Sequence, residues 1–306
     1  MTHTVMISFD KAAGKFKCAI NGQKFTTTKQ SYIEYMFKQI TSEKKSFKDI
    51  TDMQQPAVSE KFCINQRFEF VEKLVNMVCT GVQPSAIITG QGGLGKTYTV
   101  MKTLQANGLQ DFNDVVARTP VGGTIHMSKV FVTIKGFSTA KGLYRTLFEN
   151  NNATIVFDDC DSILKDPVAL NVLKGALDSY GKRVISWNAE SFGKDDELPR
   201  SFEFKGRIIF ISNLDQDKID QAIRSRSMMI DLSMTNDQKI DRMAHIALSG
   251  EFLPEYDAAV KQDALELIRS IKDEAKEISL RTLIAVSKIR ASNKDWKDLA
   301  TYMLVA

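Results

Sequence analysis

An α/β fold built on a parallel sheet is what this 306-residue chain predicts, and three observations carry that expectation. Five short apolar runs recur through its middle: Ala86–Ile88, Val130–Ile134, Thr154–Phe157, Ile208–Ile211 and Met228–Leu232. Each is nearly continuous in hydrophobicity, as a strand covered on both faces requires. Helical or polar segments separate them, the rhythm of a sheet held between two helix layers. Hydrophobic residues at 43% and charged residues at 25% are ordinary globular values, which argues against a disordered or fibrous chain.

Residues 1–50 hold nine lysines and four acids, a balance of +5 in a chain whose net charge is +4. Two strands, Val5–Phe9 and Phe16–Ile20, are expected there, with Asn21-Gly22 as a turn signal. A helical segment around Tyr32–Ile40 follows, and the polar stretch Thr41–Glu60, containing Lys44-Lys45 and Pro56, reads as a linker. Residues 1–60 are therefore expected to form a small basic α+β module and linker. Its lysines have two readings, a solvated face or a polyanion-binding arm. Val71, Leu74, Val75 and Val78 fall at i, i+3, i+4, i+7, so Asn65–Cys79 is an amphipathic helix. It opens a sheet domain over residues 61–234. Beyond Ser233 the pattern is wholly helical. Val260, Ala264, Leu267, Ile268 and Ile271 form one stripe and Leu280, Leu283 and Ile284 begin another, so residues 235–306 form a separate helical domain.

Several classes are disfavoured. A net charge of +4 is too small to imply a nucleic-acid partner by itself. Cys18, Cys63, Cys79 and Cys160 contain no CxxC pair and only three histidines occur, which speaks against a zinc site or a disulfide-stapled fold. No apolar run approaches the roughly 18 residues of a membrane span. The start, Met1-Thr2-His3-Thr4, lacks the basic and apolar regions of a signal peptide. A soluble cytoplasmic protein with no membrane partner is expected.

The strongest chemical signal is Gly90-Gln91-Gly92-Gly93-Leu94-Gly95-Lys96-Thr97, a full match to GxxxxGK[ST]. It follows the strand Ala86–Ile88 and precedes a helix over Tyr98–Leu104, the context a phosphate-binding P-loop needs. Glycines let the loop wrap a phosphate and turn successive N–H groups inward, and the helix N-terminus adds positive partial charge. Lys96 would reach the outer phosphates and Thr97 would place its hydroxyl on Mg²⁺. The second signal is the strand Thr154–Phe157 ending in Asp158-Asp159, about 60 residues later. One carboxylate can orient Mg²⁺ while its neighbour orients the attacking water. Alone this is weak, since acids often end strands; beside a P-loop it is strong. Three weaker signals follow: Ile208–Ser212 ending in Asn213, where α/β sheets present ligand contacts; Ile219–Arg226, a short helix with Arg224 and Arg226; and Ser279-Leu280-Arg281, opening a helix. Their bland readings are a turn former and charges complementing a helix dipole.

Taken in order, these motifs resemble the AAA+ ATPases over residues 64–306. The resemblance implies a five-stranded parallel core sheet in the order 5-1-4-3-2, a helical C-terminal lid, and hydrolysis of ATP with Mg²⁺. Gly90 to Thr97 would cradle the nucleotide, and Thr97 and Asp158 would hold the metal. Asp159 stands where the family's glutamate does and is one methylene shorter. Asn213 matches sensor 1, and Arg281 matches sensor 2. Arg226, in Ser225-Arg226-Ser227, matches the clamp-loader-like SRC arginine that acts across a subunit interface, with Arg224 as its rival. Self-association into a ring, expected to be a hexamer, is implied as well. The wording of residues 155–213 is also similar to bacteriophage-encoded ATPases, whose location would be the host cytoplasm.

Two segments bear on the substrate. Lys135–Lys141 joins the Val130–Ile134 strand to the helix near Gly142–Phe148, a connection that faces the central pore in AAA+ rings, so Phe137 or Lys135 could touch a threaded chain. Val184–Trp187 and Ser201–Phe204 could pair as a hairpin with Phe192–Pro199 at its tip, resembling insertions of DNA-handling AAA+ groups. In the plainer reading Phe137 covers its helix and Trp187 and Phe204 are core. The leading expectation is an ATPase that remodels or translocates DNA or a DNA-bound protein. A polypeptide unfoldase and a slow ATP-dependent assembly switch are the alternatives.

Overall fold

The structure is a computed structural model and describes residues 3, 5–11, 13–52, 61–178, 181–188 and 198–306. The chain divides into two compact units, Met1–Phe62 and Cys63–Ala306.

In the first unit, β1 (Val5–Asp10), β2 (Lys15–Ile20) and β3 (Gln23–Thr27) form an antiparallel meander in that order. The third strand was not among the expected elements. Asn21 (φ 47°) and Gly22 (φ 85°) both take the left-handed conformation between the paired residues Ile20 and Gln23, as a two-residue hairpin turn of the primed type requires. Alternation sends Cys18 and Ile20 into the core. There they meet Ile33 and Phe37, one turn apart on the helix Gln30–Thr41. The linker expectation for residues 41–60 needs correcting, because Phe47–Asp52 is a helix whose Ile50 is fully buried in that core. Its six residues were too short to show a helical period. Residues 53–60, with Pro56, lie outside the described residues.

The second unit contains a six-stranded parallel sheet of β4 (Ser85–Thr89), β5 (Gln110–Asp111), β6 (Val130–Lys135), β7 (Thr154–Asp158), β10 (Arg207–Ile211) and β11 (Met228–Asp231). Its order is β11-β4-β10-β7-β6-β5, which corrects the expected five-stranded sheet and its stated order. The extra strand, β5, is two residues long and pairs with the start of β6. Nothing in its composition marks a strand, because Gln110 and Asp111 carry no apolar run. Leaving β5 aside, the five apolar runs stand fifth, first, fourth, third and second across the sheet.

Alternation explains why those runs are continuous. Ile155, Phe157, Ile208 and Phe210 face one side, against Leu143, Tyr144 and Leu147 of the helix Ala140–Glu149 and Leu173 of the helix Pro167–Ala176. Val156, Ile209 and Ile211 face the other, against Val71, Val75 and Val78 of the helix Ile64–Cys79 and Val100 and Leu104 of the helix Lys96–Ala106. Burying each such side chain contributes about 1.5–3 kcal/mol. The expected hairpin forms: β8 (Val184–Ser186) pairs antiparallel with β9 (Ser201–Glu203). It packs through Phe202 and Trp187 on Tyr144, and Phe204 is buried, in keeping with their reading as core. Residues 192–197 of its expected tip, Phe192–Pro199, lie outside the described residues. Four helices, Asn236–Ala247, Ala258–Ser270, Leu280–Ser292 and Trp296–Val305, close the chain around Met243, Ala264, Ile268, Leu283 and Val286. No helix among the described residues is long and apolar enough to cross a membrane.

Candidate functional site

The sheet presents its site at one edge. Register places Ile88 of β4, Ile211 of β10 and Asp158 of β7 side by side, with Lys135 of β6 beside Asp158. The loops leaving these strand ends therefore converge at the carboxyl edge, where the order of connections reverses and open α/β sheets bind ligands.

The loop after β4 is shaped by its glycines. Gly90 (φ 129°) passes so close to the end of β11 that a Cβ there would stand 2.8 Å from the Leu232 carbonyl carbon. Gly93 (φ 76°) meets Ser279 at 3.0 Å in the same sense, and Leu280 N donates to Gly93 O at 2.8 Å. The start of the helix carrying Arg281 is thus latched onto the loop. Gly95 caps the helix Lys96–Ala106 in left-handed conformation, so the first turn of that helix points its free N–H groups at the loop.

Within the loop, Lys96 is only 6% exposed. Its ammonium donates to Gly90 O, to Gln91 O at 2.8 Å and to Asn213 Oδ1 at 2.9 Å. Burial pulls its pKa down to about 8, against the opposing pull of Asp159 and Asp158. Thr97 Oγ1 donates to Asp158 Oδ1 at 3.0 Å, and Asp158 is 5% exposed. Asp159 takes a left-handed backbone (φ 57°), uncommon for a residue with a side chain. Asn213 Nδ2 donates to its Oδ1 at 2.7 Å. Burial, reinforced by the neighbouring Asp158, pushes the Asp159 carboxyl above its ordinary value. Asp161 accepts from Ser212 Oγ at 2.6 Å, bracing the loops after β7 and β10.

The half-open pocket measures about 320 Å³, and its lining includes Gly92, Lys96, Thr97, Asp159, Asn213 and Arg281. A second cleft of about 350 Å³ shares Gly95, Tyr98 and Leu280 with it and adds Thr99, Ile246 and Ile284. Gly90, Gln91 and Leu94 belong to the loop without lining the pocket, and Leu94 is buried in the core.

Arg224 and Arg226 are not brought here. Ser85, at the start of β4, donates to Arg226 O at 3.3 Å, whereas the glycine-rich loop of residues 90–97 leaves the other end of that five-residue strand, about 16 Å away. Arg224 Nη1 lies 3.8 Å from Asp217 and Arg226 Nη1 donates to Ala222 O at 2.9 Å. Both Nε atoms are buried without a hydrogen-bond partner. Lys135, one of the two residues that could touch a threaded chain, places its Nζ 3.2 Å from Asp158 Oδ2. Phe137, two residues on, is 82% exposed. Lys135 and Tyr98 are site residues that motif matching missed. Lys135 could have been found as a charge ending an apolar strand on the same sheet edge as Asp158.

The donor set suits a magnesium nucleotide. One hydroxyl and one carboxylate meet beside a glycine-lined loop, which is what a cation that keeps most of its ligands as water and phosphate needs. Among the described residues no cluster of three or more His, Cys, Asp or Glu forms an all-protein metal cage.

No family model matches the chain. Among solved structures, C. elegans PCH-2 superposes with a TM-score of 0.37 and 13% identity, over 79% of this chain and 66% of that one. That likeness is too loose to carry an argument. Sequence comparison is firmer. A protein of Enterobacteria phage T4 is 31% identical over 255 residues, spanning 78% of this chain and 73% of its own length. The chain belongs to the same family as that relative, described as "Uncharacterized 36.7 kDa protein in nrdC-mobD intergenic region".

Proposed function

We propose that the chain is an AAA+ ATPase that assembles into a ring and couples ATP hydrolysis to remodelling or translocation of DNA or a DNA-bound protein. The observation that carries the reading is the single pocket in which buried Lys96, the Thr97–Asp158 pair and the Asn213–Asp159 pair meet. Lys96 would release its two backbone carbonyls and hold the outer phosphates. Thr97 and Asp158 would hold Mg²⁺, which supplies charge neutralisation on the phosphate oxygens. Asp159, oriented by Asn213, would take the proton of the attacking water, and its raised pKa makes it a readier acceptor near neutral pH. Arg281, close enough to act electrostatically on Asp159, would report the nucleotide state to the helical lid. The cleft lined by Tyr98, Ile246 and Leu280 would take the base.

Arg226 is at the wrong end of β4 for its own pocket, which supports a role towards a neighbouring subunit's nucleotide, with Arg224 as the rival. Arginines supplied in trans are worth on the order of 10³–10⁵ in turnover in related phosphoryl transfers. Activity per subunit should therefore rise with protein concentration, and Arg226→Ala should bind ATP yet hydrolyse it slowly. Mixing Arg226→Ala with Lys96→Ala should restore activity, because an intact pocket then meets an intact arginine. Flat specific activity on dilution with no rescue would remove the trans role, and Arg224→Ala run in parallel assigns it. Exposed Phe137 favours a second reading, a polypeptide unfoldase, since an aromatic can grip an extended peptide independently of sequence. Stimulation of hydrolysis by unfolded protein in place of DNA separates the two.

A further inference from the structure

The first unit carries a groove that the ATP site does not use. It measures about 480 Å³ and is lined by Ser31, Tyr35, Lys38, Lys44, Lys45 and Ser46, with Glu34 at its wall. Two properties set it apart from an ordinary solvated face. Three lysines line it against one acid, Glu34, which accepts from Phe47 N at 2.6 Å; Lys45 is held by Glu43 at 3.2 Å. Lys38 and Lys44 are both exposed and form no ion pair among the described residues, so the groove keeps a surplus of positive charge. Its second property is aromatic. Tyr32 and Tyr35 stack at 6.0 Å with an interplanar angle of 30°, and Phe25 braces Tyr32 edge-on at 6.0 Å. Tyr35 is nonetheless 55% exposed. A helical spacing of three brings the two tyrosines together, so the outer ring is pre-set before any ligand arrives.

Rigid exposed aromatics beside unpaired lysines are the chemistry of sequence-tolerant binding to single strands. Each base offers a π-face to stack on and each phosphate a charge to neutralise. We propose that this groove binds single-stranded nucleic acid, with a base on Tyr35 and the adjoining phosphates on Lys38 and Lys44. An acidic peptide would satisfy the lysines but leave the tyrosine pair without a purpose. The inference deepens the DNA-handling reading proposed above and rests on it for its role in the cell, while the binding itself needs no hydrolysis.

The test uses the full chain without nucleotide and fluorescein-labelled dT and U oligonucleotides of equal length, read by anisotropy across a salt series. The wild type should bind, and Tyr35→Ala should weaken binding about tenfold. Lys38→Ala with Lys44→Ala should flatten the slope of log affinity against log salt by about 1.4, at 0.7 per phosphate contact on a single strand. The dT and U arms decide between DNA and RNA as the source. Lys96→Ala should bind the oligonucleotide as the wild type does, and Tyr35→Ala should keep its polymer-free ATP turnover. An absence of binding by the wild type, an unchanged affinity in Tyr35→Ala, or displacement of the oligonucleotide by polyglutamate at equal charge concentration overturns the proposal. None of these outcomes touches the ATPase reading, which fails instead if Lys96→Ala still hydrolyses ATP.

Discussion

Raising the pH through the Lys96 titration should weaken ATP binding in a defined way. In the nucleotide-free protein, burial holds this lysine at about 8, whereas a bound polyphosphate favours its ammonium and raises the value. Affinity is therefore full below pH 8 and falls as pH rises, by about tenfold or 1.4 kcal/mol per unit, until the bound-state pKa is reached. By pH 9 most free sites have lost the charge, so Kd should rise by about tenfold and each binding event should take up close to one proton. Calorimetry in two buffers of different ionisation enthalpy measures both quantities. The stability of the free protein should respond with the opposite sign. A lysine whose folded pKa is depressed lowers stability fully below pH 8, and the penalty is relieved as pH climbs towards 10.5, because the unfolded chain then holds the extra proton. Loss of affinity through general alkaline unfolding would couple the two changes in the same direction. A Kd and a proton uptake that stay flat from pH 7 to 10 would refute the assignment of Lys96 to the phosphates.

Other perturbations test neighbouring parts of the argument. Asp159→Asn should lower turnover by two or more orders of magnitude while leaving ATP affinity within a few-fold, since it removes the proton acceptor and keeps the hydrogen bond partner for Asn213; a parent-like rate would move the role to another carboxylate, with Asp161 next to test. Asp158→Asn should in addition raise the Mg²⁺ concentration needed for half-maximal activity, read by metal titration. Gly93→Ala, which needs a left-handed backbone and brings a methyl to 3.0 Å from Ser279, should cost about 1–2 kcal/mol in denaturant unfolding and loosen the latch between the loop and the helix Leu280–Ser292. Tyr144→Phe should cost about 1 kcal/mol, because the Tyr144 hydroxyl donates to Pro199 O at 2.7 Å and ties the hairpin to the sheet domain.

The parts of the molecule legible in the sequence are those where local pattern and burial agree. The five apolar runs are continuous because β7 and β10 send alternate residues into two separate cores, so they announced a doubly covered sheet. The glycine pattern at residues 90–97 announced the loop because its backbone conformations admit little else. What stayed hidden lacked a local period. Gln110–Asp111 becomes a strand only through its pairing with β6, and Phe47–Asp52 is held helical by burial of Ile50 in a core made elsewhere. The pairing of Lys135 with Asp158 follows from strand register, which no single segment encodes. The distance from Arg226 to the pocket is likewise a property of the assembled sheet.

Steady-state phosphate release from ATP by the wild-type chain and by Lys96→Ala, at matched concentrations with and without Mg²⁺, addresses the central claim most directly. The wild type should release phosphate only with Mg²⁺ and the variant none above background, while the variant keeps the parent's far-UV spectrum and cooperative melting. Wild-type protein that releases no phosphate at any concentration, or a variant that matches its rate, would contradict that claim.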